Sequence, residues 1–101
     1  MFDMKNLTKL KKLEQYAPAA MKAFSAFDKE AFTAGALDVL QKQLLAVAVA
    51  LTTQCPYCIA LHVKAAREAG ATDPMLAEVG AVAAVMRAGA AITHATHLFE
   101  T

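Results

Sequence analysis

Residues 44–62 read Leu-Leu-Ala-Val-Ala-Val-Ala-Leu-Thr-Thr-Gln-Cys-Pro-Tyr-Cys-Ile-Ala-Leu-His. Leu44 to Leu51 is apolar at every position, the pattern of a helix surrounded on nearly all sides rather than one with a single apolar stripe. Asp38, followed three residues later by Gln41, is a capping-box variant that opens this helix. Thr52-Thr53-Gln54 closes it. Pro56 suits the first position of a new helix, which leaves Cys55 at its cap. The centre of the chain is therefore a pair of consecutive helices with two cysteines at their junction.

The flanks extend the same class. Asp3 caps a first short helix carrying Leu7, Leu10 and Leu13 at three-residue spacing. Pro18 restarts the chain into a second helix with Met21, Phe24, Phe27 and Phe32 as apolar positions. Thr33-Ala34-Gly35 breaks it, with Gly35 suited to a left-handed C-terminal position. The helix after Pro56 runs through Ile59, Leu61 and Ala65 to Gly70. Asp73-Pro74 repeats the start signal, Asp73 being the cap, and the last segment reaches Phe99 with a break expected near Arg87-Ala88-Gly89. Alanine supplies roughly a quarter of the residues and is the strongest helix former, and no stretch reads as a strand ladder. The reading is one all-α domain over residues 1–101, a bundle of about five to six helices.

Hydrophobic residues make up 57% of the 101 and charged residues 19%. A monomer of this size has too little interior for that apolar content, so further copies of the chain are expected to cover the excess. The net charge of +1 gives no reason to expect nucleic acid. Lys5, Lys9, Lys11 and Lys12 read as a solvated helix face. Lys5, Lys9 and Lys11 also interrupt any leader-like apolar run. Leu44–Leu51 is about half the length a membrane span needs, and the run after Pro74 contains Glu78 and Arg87, so both read as buried helices. The expected setting is the cytoplasm without a membrane, where a C-x-x-C pair is more often catalytic or metal-binding than structural.

Cys55 and Cys58, three apart at the first turn of a helix, can close a short disulfide without unfolding it. The unpaired amides and positive dipole end there favour thiolate over thiol. His62 lies four residues after Cys58, rotated by about 40° and one turn along, so their side chains are neighbours. It lies two turns from Cys55. Imidazole is the usual base near neutral pH, which nominates Cys58 as the attacking thiolate and Cys55, at the more exposed cap, as the resolving thiol. Two other readings fit the same residues. In one the cysteines serve packing alone and the chain is a non-catalytic oligomeric binding or regulatory module; in the other Cys55, Cys58 and His62 hold zinc with His94 or His97 as fourth ligand. A c-type haem needs histidine directly after the second cysteine, where Ile59 stands. The glutaredoxin arrangement needs a strand before the motif, where an alanine-rich helix stands. The thiol reading is preferred, with no metal and no cofactor; His94 and His97 are expected at an interface or in solvent.

Lys42–Leu51, Gln54–Ile59 with His62, and Met86–Ala91 together resemble the AhpD-like alkylhydroperoxidase and carboxymuconolactone decarboxylase family, over about Phe24 to His94. The resemblance implies an all-helical homo-trimer or homo-hexamer. It implies a hydroperoxide or disulfide substrate and a dithiol reductant, with Cys58 meeting the peroxide, Cys55 resolving it and His62 as the family's histidine. The peroxidase pattern has a glutamate in a proton relay twelve residues before the first cysteine. That position is Gln43, which can place a water or the imidazole but cannot accept a proton at neutral pH. Gln43 joins the candidate site on that basis, and Tyr57, between the cysteines, is placed to line it or to pack.

Overall fold

Capping chemistry sets the element boundaries. The computed structural model describes residues 2–99. Asp3 accepts from the Lys5 N–H at 2.9 Å and starts a 3₁₀ segment, Met4–Lys9, that runs into helix α1, Leu10–Tyr16. The single short helix expected here is thus two pieces, because the i, i+3 leucine spacing matches a three-residue turn as well as an α-turn. Helix α2 spans Pro18–Phe32, α3 Val39–Thr53, α4 Pro56–Glu68 and α5 Asp73–His94, with a second 3₁₀ segment at Ala95–Phe99. Among the described residues there is no strand. The all-α class is the observed one.

Three boundaries differ from expectation. Helix α2 ends at an extended Thr33, whose hydroxyl donates to the Lys29 carbonyl at 2.8 Å. Gly35 is therefore not the left-handed stop; among the described residues the positive-φ positions are Gln54 and Gly70. The cap of α5 is Thr72, whose Oγ1 accepts from the Met75 N–H at 3.3 Å, and not Asp73. Asp73 instead occupies the first turn, where a negative charge suits the helix dipole, and pairs with Arg67 at 2.7 Å. Helix α5 continues through Arg87-Ala88-Gly89 without a break. One glycine costs a helix about 1 kcal/mol, and alanine-rich turns on both sides outweigh it.

Helix α3 is the hub. It packs along α4 and α5 and meets the end of α2. Val47, Ala66 and Ala71 form the buried cluster, flanked by Leu40, Leu44, Val63, Leu76 and Val79. Ala66 is fully buried, and its small side chain lets α3 and α4 approach closely. The capping box is complete, with Gln41 N–H donating to Asp38 Oδ1 at 2.7 Å and Asp38 N–H donating to Gln41 Oε1 at 2.9 Å.

The expectation that the apolar helices are buried fails for the single chain. Val49 is 59% exposed and Met86 66%, and α1 packs chiefly on α2 and on the 3₁₀ segment before it. The radius of gyration is 17.0 Å, where about 13 Å is usual for this length. The accessible surface is 7796 Å², against about 5,500 Å² for a compact monomer of this mass. Residues 73–99 are long and apolar enough to cross a membrane by length and composition, with 6% of the apolar window buried, although Glu78 and Arg87 lie within them.

Candidate active site

The turn between α3 and α4 is built from backbone chemistry. Gln54 adopts the left-handed conformation (φ 56°), and its N–H and that of Cys55 both reach the Ala50 carbonyl, Cys55 at 3.1 Å. A non-glycine residue there costs about 1–2 kcal/mol, and the two hydrogen bonds offset it. Arg87 Nη1, from α5, donates to the Thr52 carbonyl at 2.6 Å. This charge-assisted bond satisfies one of the carbonyls a helix leaves unpaired at its C-terminus.

Cys55 follows in extended geometry as the cap of α4, its Sγ accepting from the Cys58 N–H at 3.2 Å. Pro56 sits in the first turn. The two cysteines are joined in a disulfide across a Cα–Cα distance of 5.3 Å, so the helix start holds the pair at bonding range. Both are part-buried. Accessibility in the single chain therefore does not distinguish Cys55 as the more exposed, as the cap position had led us to expect.

The imidazole of His62 is held from two sides. Nδ1 lies 2.8 Å from Gln43 Oε1 on α3. An amide oxygen only accepts, so the contact suits an imidazole with its proton on Nδ1, and in that neutral tautomer Nε2 is the nitrogen with a free lone pair. Phe32, in the last turn of α2, stacks on the ring with centroids 5.2 Å apart and planes 17° from parallel. Three helices thus converge on one side chain, which holds its orientation.

The four sequence-nominated residues fall in one region: Cys55 and Cys58 bonded to each other, His62 one turn after Cys58, and Gln43 on His62. His94 and His97 face each other edge-on, with centroids 5.0 Å apart. Among the described residues no group of three or more His, Cys, Asp or Glu side chains is placed to hold a metal ion. The four-ligand zinc arrangement is not assembled among the described residues. Sequence reading missed Phe32 as the wall of the imidazole, since its spacing marked only an apolar helix position. It also missed Arg87 as the anchor of the turn, and the partners of Tyr57 described below.

An all-α scaffold with a C-x-x-C disulfide at a helix start, backed by a positioned histidine, defines a class of helical thiol proteins. The chain belongs to the carboxymuconolactone decarboxylase family, whose model matches residues 18–101. It is 59% identical over 73 residues to an uncharacterized protein encoded in the cox locus of Paracoccus denitrificans, a match covering 72% of this chain and 66%, just under two thirds, of that one. The crystal structure of a carboxymuconolactone decarboxylase family protein from Legionella pneumophila superposes with a TM-score of 0.76 at 34% identity, covering 89% of this chain and 80% of that one. A structure from Methanobacterium thermoautotrophicum gives a TM-score of 0.81 at 35% identity, covering 85% and 97%.

Proposed function

We propose that this protein is a redox-active dithiol enzyme of the alkylhydroperoxidase type, reducing hydroperoxides through Cys58 and a Cys55–Cys58 disulfide. The observation that carries the reading is the 2.8 Å contact of Gln43 with His62, which leaves Nε2 basic one turn beyond Cys58. His62 Nε2 takes the Cys58 proton. The thiolate attacks the peroxide, forming an S–O bond as the O–O bond breaks, and the departing alkoxide regains the proton from His62 and leaves as alcohol. The sulfenic acid on Cys58 condenses with the Cys55 thiol, forming the disulfide and releasing water. A dithiol donor reduces the pair by exchange and is itself oxidised to a disulfide.

The apolar surface left bare by the single chain supports assembly into a homo-trimer or homo-hexamer, and the proposed setting is the cytoplasm. The site itself is assigned no metal or cofactor. A second reading, thiol–disulfide exchange with little peroxide turnover, is favoured by Gln43, which cannot serve as a proton acceptor. The two cysteine variants test the assignment of roles. Cys55→Ser is expected to react with an organic hydroperoxide and accumulate a sulfenic acid that a dimedone probe traps. Cys58→Ser is expected not to react. Reversed behaviour exchanges the roles, and inertness of both, with rapid oxidation of the wild type by disulfide reagents alone, establishes the exchange enzyme.

A further inference from the structure

Tyr57 stands inside the four-residue ring closed by the disulfide, immediately before Cys58. Its hydroxyl oxygen accepts from Asn6 Nδ2 at 2.9 Å and from the Asp3 N–H at 3.3 Å. The Phe2 ring meets the Tyr57 ring edge-on, with centroids 4.8 Å apart. Three contacts from one segment, more than fifty residues distant in sequence, therefore converge on the residue between the two cysteines. From Phe2 to Ala20 the part-buried residues are Asn6, at that same contact, and Leu7, next to it in sequence, and the rest are exposed. The segment is fastened to the body where the redox motif lies.

We infer that Phe2–Asn6 is a redox-gated strap over the first turn of α4, with Tyr57 as its latch. The inference rests on the reading of Cys55 and Cys58 as a redox pair and adds its regulation. While the disulfide is closed, the ring of residues 55–58 fixes the backbone on both sides of Tyr57 and aims its hydroxyl at Asn6 and Asp3. Reduction by a dithiol breaks the S–S bond. Two electrons and two protons pass to the cysteines and the donor becomes a disulfide. The sulfurs then separate from bonding to van der Waals distance, and the backbone that aims the latch is no longer cross-linked. The strap releases, opening the first turn of α4 to substrate in the state that can react with it. Linkage makes the effect reciprocal: a strap that docks on the oxidised form stabilises the disulfide.

Limited trypsin digestion tests this on the oxidised protein and on protein reduced and desalted without oxygen. Cleavage after Lys5 and Lys9 reports the strap, while Lys64 and Arg67 in α4 report global opening. Losing contacts worth a typical neutral hydrogen bond changes an opening equilibrium by about fivefold. Wild type is therefore expected to be cut at Lys5 and Lys9 about fivefold faster when reduced. Tyr57→Phe and Asn6→Ala are expected to be cut fast in both states, with the α4 sites unchanged. The Tyr57→Phe disulfide is also expected to be reduced more readily, with its equilibrium against dithiothreitol shifted about fivefold. Equal cleavage of wild type in both states, or a Tyr57→Phe protein as protected as oxidised wild type, overturns the strap. Thiol counts on the same samples separate the two levels. A pair that cycles without any change in cleavage sinks the strap alone, and a pair that cannot be cycled sinks the redox reading beneath it.

Discussion

Gln43→Glu changes one atom at the 2.8 Å contact with His62 and keeps the side chain's shape. In wild type a neutral amide accepts from Nδ1–H, an interaction worth about 1 kcal/mol net, whereas a hydrogen bond to a charged group is worth about 1.5–3 kcal/mol. The carboxylate therefore favours the cationic imidazole by a further ~1–2 kcal/mol. In the proposed cycle His62 becomes cationic as Cys58 loses its proton, so that gain lowers the barrier to thiolate formation. It corresponds to roughly a fivefold to thirtyfold increase in rate. The assay is single-turnover loss of thiols from the reduced protein after stopped-flow mixing with an organic hydroperoxide at neutral pH. Gln43→Leu, which leaves Nδ1–H without that acceptor, is expected to be slower than wild type. A Gln43→Glu protein that folds, forms its disulfide and reacts no faster than wild type would refute the reasoning that His62 takes the Cys58 proton.

His62→Ala is expected to slow the same single-turnover reaction by about a hundredfold or more, the scale of general-base contributions, while the disulfide still forms with a strong oxidant. Thr72→Ala removes the cap of α5 and is expected to cost about 1 kcal/mol, read as a lower Tm in a thermal melt. The surface of 7796 Å² exceeds that of a compact monomer by roughly 2,300 Å², an amount typical of obligate interfaces. Sedimentation equilibrium is therefore expected to give an oligomer, a trimer or hexamer if the family resemblance extends to assembly, and a stable 10.7 kDa species would contradict the assembly.

Local signals carried most of the fold. The Asp38/Gln41 box, Pro56 and the apolar run from Leu44 to Leu51 each act through neighbours in sequence, and each led to the observed helix, while Asp3 marked the right start but of a 3₁₀ segment. The placing of Cys55, Cys58 and His62 near one another was legible for the same reason, since α4 and its cap carry all three. The misreadings lie where competing local forces are nearly balanced. Gly89 lost to the helix propensity around it, Thr72 capped α5 in place of Asp73 one residue later, and a leucine spacing common to two helix types hid the 3₁₀ segment. The contacts of Phe32 with His62, of Arg87 with Thr52 and of Asn6 with Tyr57 join residues 30 or more apart, and nothing in their own neighbourhoods announces them. Gln43 became a candidate through family resemblance, and its hydrogen bond to His62 then gave it a physical partner.

The decisive measurement is a thiol titration of the reduced wild-type protein after one equivalent of an organic hydroperoxide, with the alcohol product quantified in parallel. The proposed cycle predicts that both thiols of each chain disappear within seconds, one alcohol forms per chain, and the Cys55–Cys58 disulfide is recovered by peptide mapping. Thiols that persist for hours with no alcohol formed would contradict it.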